Sequence, residues 1–514
     1  MPRWEWDEDK LLPAERRVVD ALRNRDWDEN GEIEVGESDY GGKLPEAGDE
    51  TRRLTAEVVK ALALGRALNV ELPDTGLNLH GGWITGQLSL EGAAAARDIG
   101  LLDCRFELAP IFRSARLQSL FLNRSELPGL RADRVDTRGG LFLNGSKVFG
   151  EVRLPGATIK GDLVCDEAVF ETTNVARQSV ILNADDLRVR GSLFLTRARI
   201  RGQVRFVVAD IGSNLSCAGT IFEHQKGRAL ILDGTRVDGA FFLREGARIV
   251  GALDMSGAQL GSICDDPACW PTTGNLMLHR CLYSSFTGGP VDSEARLRWL
   301  ALQVPARWGQ NFWPQPYEQC AKVLHEMGHT SDARAVLIEK ERLQRADRRK
   351  RMHPARRAVR WTFDNLMGAT TLYGRQPLLA FAWLFGFWLL GFGLFNDADR
   401  FDALKSNNAF VLRADEWTEC AADGLRRADH ASQRECFEAQ PEGSSYPHFN
   451  ALIYSADTLL PVVDLEMQGF WIPDAEAPWL HAKTTRTYLW LHIALGWALS
   501  LLAVAGFSGL VKSD

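Results

Sequence analysis

Short runs of alternating apolar residues recur every eleven residues in the first half of the chain. In the copy that starts at Gly139, apolar residues occupy the third and fifth positions, a small residue the eighth and an apolar residue the tenth. Related copies begin at Gly86, Gly150, Gly161, Gly191, Gly202, Ser213 and Gly251. An amphipathic helix would repeat every three to four residues instead. The pattern therefore predicts short strands joined by tight turns, two per coil, in a parallel β-solenoid.

The predicted solenoid covers residues 76–286, which is enough for about nine or ten coils and a rod of roughly 45 Å at the usual strand spacing. Small residues should face inward where the coil is narrow. Such a rod needs caps to cover its end strands. We expect residues 1–75 to form a helical cap, with a helix from Thr51 to Leu68. Residues 287–365 read as a helical hairpin followed by a basic linker.

Two uninterrupted apolar runs mark a membrane domain at residues 366–514. Pro377–Phe395 has 19 residues and no charge, and Thr487–Val511 has 25 residues with His492 as its single titratable group. About 20 apolar residues suffice to cross a bilayer as a helix. The sequence therefore predicts two spans, at about 377–395 and 487–511, separated by a loop at 396–486.

A third segment, residues 449–471, is mostly apolar only from Ala451 to Val463, too short to span, and it contains Asp457, Pro461 and Asp464. We expect a short helix from Asn450 to Leu460, broken at Pro461, that enters the membrane and returns on the same side. Backbone at that depth must be enclosed by protein or line water. Because two spans cannot enclose it, this interpretation requires an oligomer. The alternative is an interfacial helix that packs the loop onto the membrane.

Local charge sets the expected orientation. The chain has a formal net charge of -7, which gives no indication of nucleic-acid binding. Residues 340–360, however, contain ten Lys and Arg against two acids, whereas residues 396–485 contain 7 basic and 16 acidic residues. Positive charge next to a span remains in the cytoplasm. Both termini and the solenoid should then be cytoplasmic, and the loop should face outward.

The cysteines follow the same division. Seven of the nine lie in the part predicted to be cytoplasmic, where thiols stay reduced. Cys420 and Cys436 lie in the outward loop, where oxidation is permitted. We predict a disulfide between them, the alternative being two unrelated thiols.

One motif raises the question of chemistry. His325, Glu326 and His329 fit the H-E-x-x-H pattern in which two histidines on one helix face bind zinc and the glutamate acts as a base. Gly328 stands where the helix should end, which favours a structural turn. No catalytic residue, metal ligand or cofactor site is therefore assigned, and no phosphate-binding loop or dinucleotide fingerprint is present.

The order of a span, a short helix with an extended turn and a second span resembles the two-span pore domain of potassium-channel-like proteins, over Leu372 to Val511. TLLPVVDL stands where those channels have their selectivity filter. The resemblance implies Thr458 near the filter entrance and Asp464 at its outer mouth. Pro461, Val462 and Val463 replace the filter glycines, so a ring of Asp464 or Asp457 side chains would favour cations.

The chain as a whole resembles a bacterial family of membrane-anchored pentapeptide-like repeat proteins. The resemblance rests on three segments of the chain, LALGRALNVELPDTGLNLHGGWITGQLSL, PYEQCAKVLHEMGHTSDARAVL and FNALIYSADTLLPVVDL. It implies a multi-pass protein of the bacterial inner membrane. Members are often labelled membrane-associated oxidoreductases, yet no residue pattern here would bind a flavin or nicotinamide.

These observations lead us to expect a multidomain membrane protein in which a cytoplasmic solenoid binds a protein or small-molecule ligand. That solenoid would be coupled to a homo-oligomeric channel-like domain, with a tetramer favoured, in contact with membrane lipid. The alternatives are a non-conducting scaffold anchored in the membrane and a zinc hydrolase that uses the HEMGH motif.

Overall fold

The computed structural model describes residues 10–36, 44–67, 70–172, 180–309, 311–373, 376 and 378–507. Parts of three predictions, namely Leu68, Pro377 and residues 508–511, lie outside these ranges. The chain divides into two compact units, Met1–Lys340 and Glu341–Asp514. The helices in the described residues are α1 (Pro13–Asn24), α2 (Ala56–Ala63), α3 (Ser293–Ala301), α4 (Gln315–Glu326), α5 (Thr330–Lys350), α6 (Pro354–Thr371), α7 (Leu378–Arg400), α8 (Asp415–Thr418), α9 (Gln433–Glu438), α10 (Ala451–Leu459) and α11 (Ala482–Phe507).

The first unit is a parallel β-solenoid of about nine turns, as the repeat predicts. Its strands form two long parallel sheets, and the chain visits each sheet twice in every coil. The first sheet contains Glu32–Glu34, Leu77–His80, Ile99–Leu102, Arg116–Leu117, Leu120–Phe121, Asp136–Thr137, Leu141–Phe142, Thr158–Ile159, Leu163–Val164, Arg188–Val189, Leu193–Phe194, Asp210–Ile211, Leu215–Ser216, Arg236–Leu243, Gln259–Asp265 and Leu282–Phe286.

The second sheet contains Arg53–Thr55, Trp83–Thr85, Arg105–Phe106, Glu126–Leu127, Leu130–Arg131, Lys147–Val148, Val152–Arg153, Val169–Phe170, Val180–Asn183, Arg199–Arg201, Gln203–Arg205, Ile221–Ile231, Arg248–Asp254 and Leu276–Met277. Over the two sheets together, most strands have only two residues. A coil therefore contains four short strands, and the expectation of two per coil is wrong. The reason is that each eleven-residue repeat bends once in its middle and turns once at its end.

Stacking fixes the register between coils. Leu141 pairs with Leu120 on one side and with Leu163 on the other, so equivalent residues of successive coils lie in a column. The predicted inward small residues are also present, since Ala115, Ser125, Ser146, Ala157, Ala168 and Ala209 are buried. Seven free cysteines, Cys104, Cys165, Cys217, Cys264, Cys269, Cys281 and Cys320, are buried in the same unit.

The segment predicted as an amino-terminal helical cap also contributes strands. Glu32–Glu34 and Arg53–Thr55 pair in parallel with the first coil. The helix expected at Thr51–Leu68 begins only at Ala56, because residues 53–55 extend the second sheet. Glu15 of α1 is buried and accepts hydrogen bonds from the backbone N–H and hydroxyl of Thr55, at 2.7 and 2.6 Å. This carboxylate fastens α1 to the first strand of the sheet.

A second buried charge closes the other end of the solenoid. Arg296 of α3 is fully buried and makes two 2.8 Å hydrogen bonds to the carboxylate of Asp265, at the end of the strand Gln259–Asp265. Its guanidinium also lies 3.5 Å from the ring centre of Phe286, in the last strand. The region expected to hold a hairpin therefore begins with an additional helix, α3, before α4 and α5.

A charged cluster lies on the first coils. His80 Nε2 is 2.7 Å from Asp103 Oδ2, and His80 Nδ1 is 2.8 Å from Glu34 Oε1. The bond to Asp103 raises the pKa of His80 to about 9, with burial opposing it and Glu34 adding to it. Burial acts to raise the pKa of Asp103, but the bonds from His80 and Arg124 outweigh burial, and the pKa of Asp103 is lowered. The histidine is therefore charged in the folded protein at neutral pH.

The cluster predicts how the stability of the solenoid depends on pH. The pKa of His80 is higher in the folded chain than its ordinary value of about 6.5 in the unfolded chain. Its contribution is thus complete below pH 6.5 and is lost as the pH rises through about 9. Calorimetry across this range should show a falling unfolding temperature. His80→Gln should remove this part of the pH dependence, and an equal slope in the variant would contradict the assignment.

The backbone conformation at the corners of the coil also affects the stability of the solenoid. Many corners turn through a residue with positive φ, and Val208 occupies one such position at φ 57°. A β-branched residue is strained in this region, whereas glycine is not. Gly257 has the equivalent corner two coils further on, at φ 65°.

We therefore expect Val208→Gly to stabilise the solenoid by about 1 kcal/mol, the typical cost of a left-handed conformation for a residue with a side chain. The reverse change, Gly257→Val, should destabilise it by a similar amount, since the nearest atoms leave room for a side chain. Labelling of the seven buried thiols in increasing urea reports unfolding of this unit alone. Burial raises the pKa of Cys104, Cys281 and Cys320 to about 12, so these thiols are unreactive while it is folded. Equal urea midpoints for both variants would contradict the argument.

Candidate functional site

The second unit contains two helices, α7 and α11, that are long and apolar enough to cross a membrane. Only 22% and 28% of their most apolar windows are buried within the protein. A helix of a soluble core would be buried over most of its length. The outward side chains are large and apolar, among them Phe381, Trp383, Phe385, Trp490, Trp497 and Leu501.

The short helix α10 packs against both of these helices. Asn450 caps it by accepting hydrogen bonds from the backbone N–H groups of Leu452 and Ile453. The ring of Tyr454 packs edge-on against Phe395 near the end of α7, at 4.9 Å between centres. Five residues later, Leu459 packs against Leu384, near the start of α7. The helix therefore runs antiparallel to α7 and packs along its middle part, between Phe395 and Leu384.

Two glycines allow this close packing. A side-chain carbon on Gly391 of α7 would lie 2.3 Å from Ser455 Oγ and 2.7 Å from His492, and one on Gly496 of α11 would lie 1.8 Å from the carbonyl oxygen of Leu459. Ser455 donates to the carbonyl of Trp388 at 2.8 Å, and His492 Nε2 lies 3.1 Å from the carbonyl of Ser455. His492 is thus a packed residue that links α11 to α10.

Asp457 organises the segment that follows α10. Its Oδ1 accepts a hydrogen bond from the N–H of Leu465 at 2.7 Å, and its Oδ2 accepts from the N–H groups of Met467 at 3.0 Å and Gln468 at 2.6 Å. The side chain is buried. Trp471, also fully buried, then packs in the same cluster as Tyr454 and Phe395. The chain therefore leaves the end of α10 and returns beside the helix to the level at which it began.

The return segment is the exposed part of this arrangement. Val462 is 90% exposed and Val463 45%. Asp464 is exposed too, and its side chain accepts a hydrogen bond from the backbone of Glu466 at 3.0 Å. Pro461 is half-buried, and Thr458 is buried with its hydroxyl bonded to the carbonyl of Tyr454. Of the two acidic candidates, Asp457 has both oxygens engaged by backbone, whereas Asp464 faces open space.

An apolar cavity of about 840 Å³ lies beside the end of α10. It is lined by residues of three helices, including Phe385 and Trp388 of α7, Leu459 at the end of α10, and Val504 of α11. No charged residue of the described ranges lines it. The described part of the chain leaves this cavity open.

The loop between the two long helices is folded. Leu404–Ser406 pairs antiparallel with Trp471–Pro473, so its two ends are joined. Cys420 and Cys436 lie at disulfide distance, with Cα atoms 5.7 Å apart, as the sequence predicted. Arg434 bridges Asp399 at the end of α7 and Glu438 within the loop, both at 2.6 Å. These links make the loop a small, closed subdomain.

The HEMGH motif lies at a helix end. Helix α4 stops at Glu326, and Gly328 has φ +91° before α5 begins at Thr330. His325 is thus in the last turn of one helix and His329 in the connection to the next, so they do not share a helix face. Among the described residues, no group of three or more His, Cys, Asp or Glu has an arrangement that could hold a metal.

Sequence reasoning missed a hub at the basic end of α5. The buried carboxylate of Asp364, in α6, is contacted by Arg345 at 3.1 Å, Arg349 at 2.5 Å and Arg360 at 3.5 Å. The only signal in the sequence is the four-residue spacing of Arg360 and Asp364. The hub fixes the end of α5 to α6, just before α7.

Comparisons of the chain with models of protein families, with curated proteins and with solved structures give no match. The resemblances to two-span channels and to membrane-anchored repeat proteins therefore remain expectations from sequence motifs. The architecture that stands is a parallel β-solenoid together with two apolar helices of spanning length.

The close packing of α10 predicts that alanine substitutions at two glycines of the long helices differ in their effect on stability. Gly496→Ala forces its new methyl group into the Leu459 carbonyl and should destabilise the second unit by about 1–3 kcal/mol, as overpacking does. Gly393→Ala is the control, because open space surrounds Gly393 in the same kind of helix. The midpoint of thermal aggregation in detergent measures both. Equal midpoints would show that α10 does not pack against α11 in this way.

Proposed function

We propose that the protein is a sensor of the bacterial inner membrane, in which a cytoplasmic β-solenoid is coupled to an oligomeric, cation-conducting two-span domain. In this proposal α7 and α11 cross the bilayer, both termini are cytoplasmic, and residues 401–481 face outward. The segment from α10 to Trp471 is a re-entrant element that enters from the outward side and returns to it.

The observation that carries the proposal is the way Asp457 holds the return segment. Backbone N–H groups at membrane depth need partners other than water. Asp457 supplies three such bonds from within α10, while α10 itself packs against both long helices. An interfacial helix lying on the bilayer would pack against the ends of the spans, whereas α10 reaches Leu384 and Leu499.

The exposed residues of the return segment support an oligomer. A bilayer would cover apolar side chains on α7 and α11, but it would not accommodate the exposed carboxylate of Asp464 on the backbone that follows Pro461. Neighbouring subunits around a central axis would enclose this backbone and bring several Asp464 side chains together. A ring of carboxylates attracts cations and repels anions. The segment lacks the filter glycines that allow carbonyl rings to select potassium. We therefore assign the preference for cations to the side chain of Asp464.

The disulfide pair supports the orientation, because disulfides persist in an oxidising compartment and the seven free thiols lie in the other unit. The coupling is assigned to α5. Asp332 near its start accepts a hydrogen bond from the backbone of Ser293, and Arg345 and Arg349 near its end bind Asp364. A ligand that binds the solenoid could then bias α6 and the span that follows it.

The proposal predicts a cation flux that depends on Asp464. We expect native mass spectrometry of the detergent-purified protein to show a closed oligomer, with a tetramer as the simplest case. In liposomes, Asp464→Asn should lower the cation flux and weaken the preference over anions, because it removes the exposed charge.

Glu466→Gln is the matched control, since it removes one exposed charge two residues away and should have a smaller effect. A monomer, or a flux that is absent in the wild-type oligomer, would rule out conduction. The protein would then be a scaffold whose solenoid recruits partners to the membrane.

A further inference from the structure

Helix α6 has an amphipathic surface that no part of the described chain covers. Its buried side is narrow and consists of Asp364, Met367, Thr370 and Thr371. Along another side, Val359, Phe363 and Leu366 are exposed at helical spacing, with exposed fractions of 71%, 49% and 57%. Exposed apolar residues three and four positions apart form a continuous stripe. Such a stripe is unfavourable in water and normally indicates a contact.

A groove runs along this stripe and has arginines at its edge. Its volume is about 540 Å³, and it is lined by Met352, Ala355, Arg356, Val359, Arg360 and Phe363. The apolar side chains would accommodate a hydrocarbon chain, and the two guanidinium groups would bind a phosphate. Arg360 also lies 3.5 Å from Asp364 and 5.6 Å from the ring centre of Phe363.

The charges near the groove leave an excess of positive charge. The buried carboxylate of Asp364 is already shared by Arg345, Arg349 and Arg360, and buried Glu341 pairs with Arg345. Arg357 donates to the backbone carbonyls of Arg349, Lys350 and Met352 and adds to the same positive field. Asp347 of α5 pairs with Arg351, the first residue after that helix. An anion is therefore the complementary ligand.

The position of α6 in the chain indicates where that anion comes from. The helix ends at Thr371, and the first long apolar helix begins at Leu378. A helix with an apolar stripe, flanking arginines and a following span is suited to lie in the membrane–water interface. Clusters of Lys and Arg next to the cytoplasmic end of a span attract anionic lipids.

We propose that α6 is an interfacial helix and that the groove binds an anionic phospholipid. The phosphate is held by Arg356 and Arg360, and an acyl chain lies along Val359 and Phe363. This inference rests on the proposed membrane location and names a lipid as the ligand of the element that links α5 to the first span. Arg360 also binds Asp364, which holds α5 to α6. Binding of an anionic lipid at the groove would therefore affect the α5–α6 contact, to which the coupling with the solenoid is assigned.

The first test locates the stripe in a bilayer. A spin label on Val359→Cys, in nanodiscs that contain phosphatidylglycerol, should be accessible to oxygen and protected from a water-soluble relaxation agent. A label on Ala358→Cys is the control, since one residue moves it by about 100° around the helix. The seven free cysteines of the described chain are buried and should not compete for the label. Equal access of the water-soluble agent to both labels would overturn the proposal.

The second test measures lipid selectivity. Native mass spectrometry of the detergent-purified protein, titrated with phosphatidylglycerol or with phosphatidylcholine of the same acyl chains, should show preferential binding of the anionic lipid. The double variant Arg356→Gln/Arg360→Gln should weaken that binding by about five-fold for each arginine removed.

The control is Arg348→Gln/Lys350→Gln, which removes two exposed positive charges from α5. An equal loss in the control, or equal binding of the two lipids, would overturn the groove as a site. Extraction of the protein from membranes by alkaline carbonate would instead contradict the proposed membrane location. A protein that resists extraction but shows no lipid preference would contradict this inference alone.

Discussion

Every backbone N–H and C=O group away from water needs a partner, and both units of the protein are arranged around this constraint. In the first unit, each coil donates to and accepts from its two neighbours, as the column through Leu120, Leu141 and Leu163 shows. The coils at the two ends of the stack have a neighbouring coil on one side alone. In the second unit, α10 satisfies its own backbone, but the segment after it does not, and Asp457 supplies the missing acceptors.

Buried charged side chains occur where this backbone pattern ends. Glu15 fastens the first helix to an end strand, and Arg296 with Asp265 fastens α3 to the other end. Burying a charge is costly unless it is paired and hydrogen-bonded, and removing one partner leaves the other uncompensated. These residues therefore mark the two ends of the solenoid. Asp457 and Asp364 have the same character in the second unit, since each joins segments that would otherwise separate.

The elements with a strong local period could be predicted, whereas those that depend on tertiary partners could not. The repeat that begins at Gly139 predicted the solenoid, and the charge-free run that ends at Phe395 predicted the first apolar helix. The extent of α10 followed from Asn450 and Pro461. The predicted number of strands per coil was wrong, because a two-residue strand is too short to show an alternation of apolar and polar residues. The partners of Asp457 and Asp364 lie on segments whose approach no sequence period encodes, and a channel-like function cannot be inferred from periodicity at all.

The column-like stacking of the coils has an evolutionary consequence. Each coil touches only its neighbours, so a coil can be duplicated or lost without altering the residues that close the two ends. The coil between Leu163 and Leu193 is longer than the one before it, yet the pairing of Leu163 with Leu193 is preserved. Extra residues in a coil therefore leave the pairing of the neighbouring strands intact. Whole coils can therefore be added or removed by gene duplication and deletion, while the contacts of Glu15 at one end and Arg296 at the other stay unchanged.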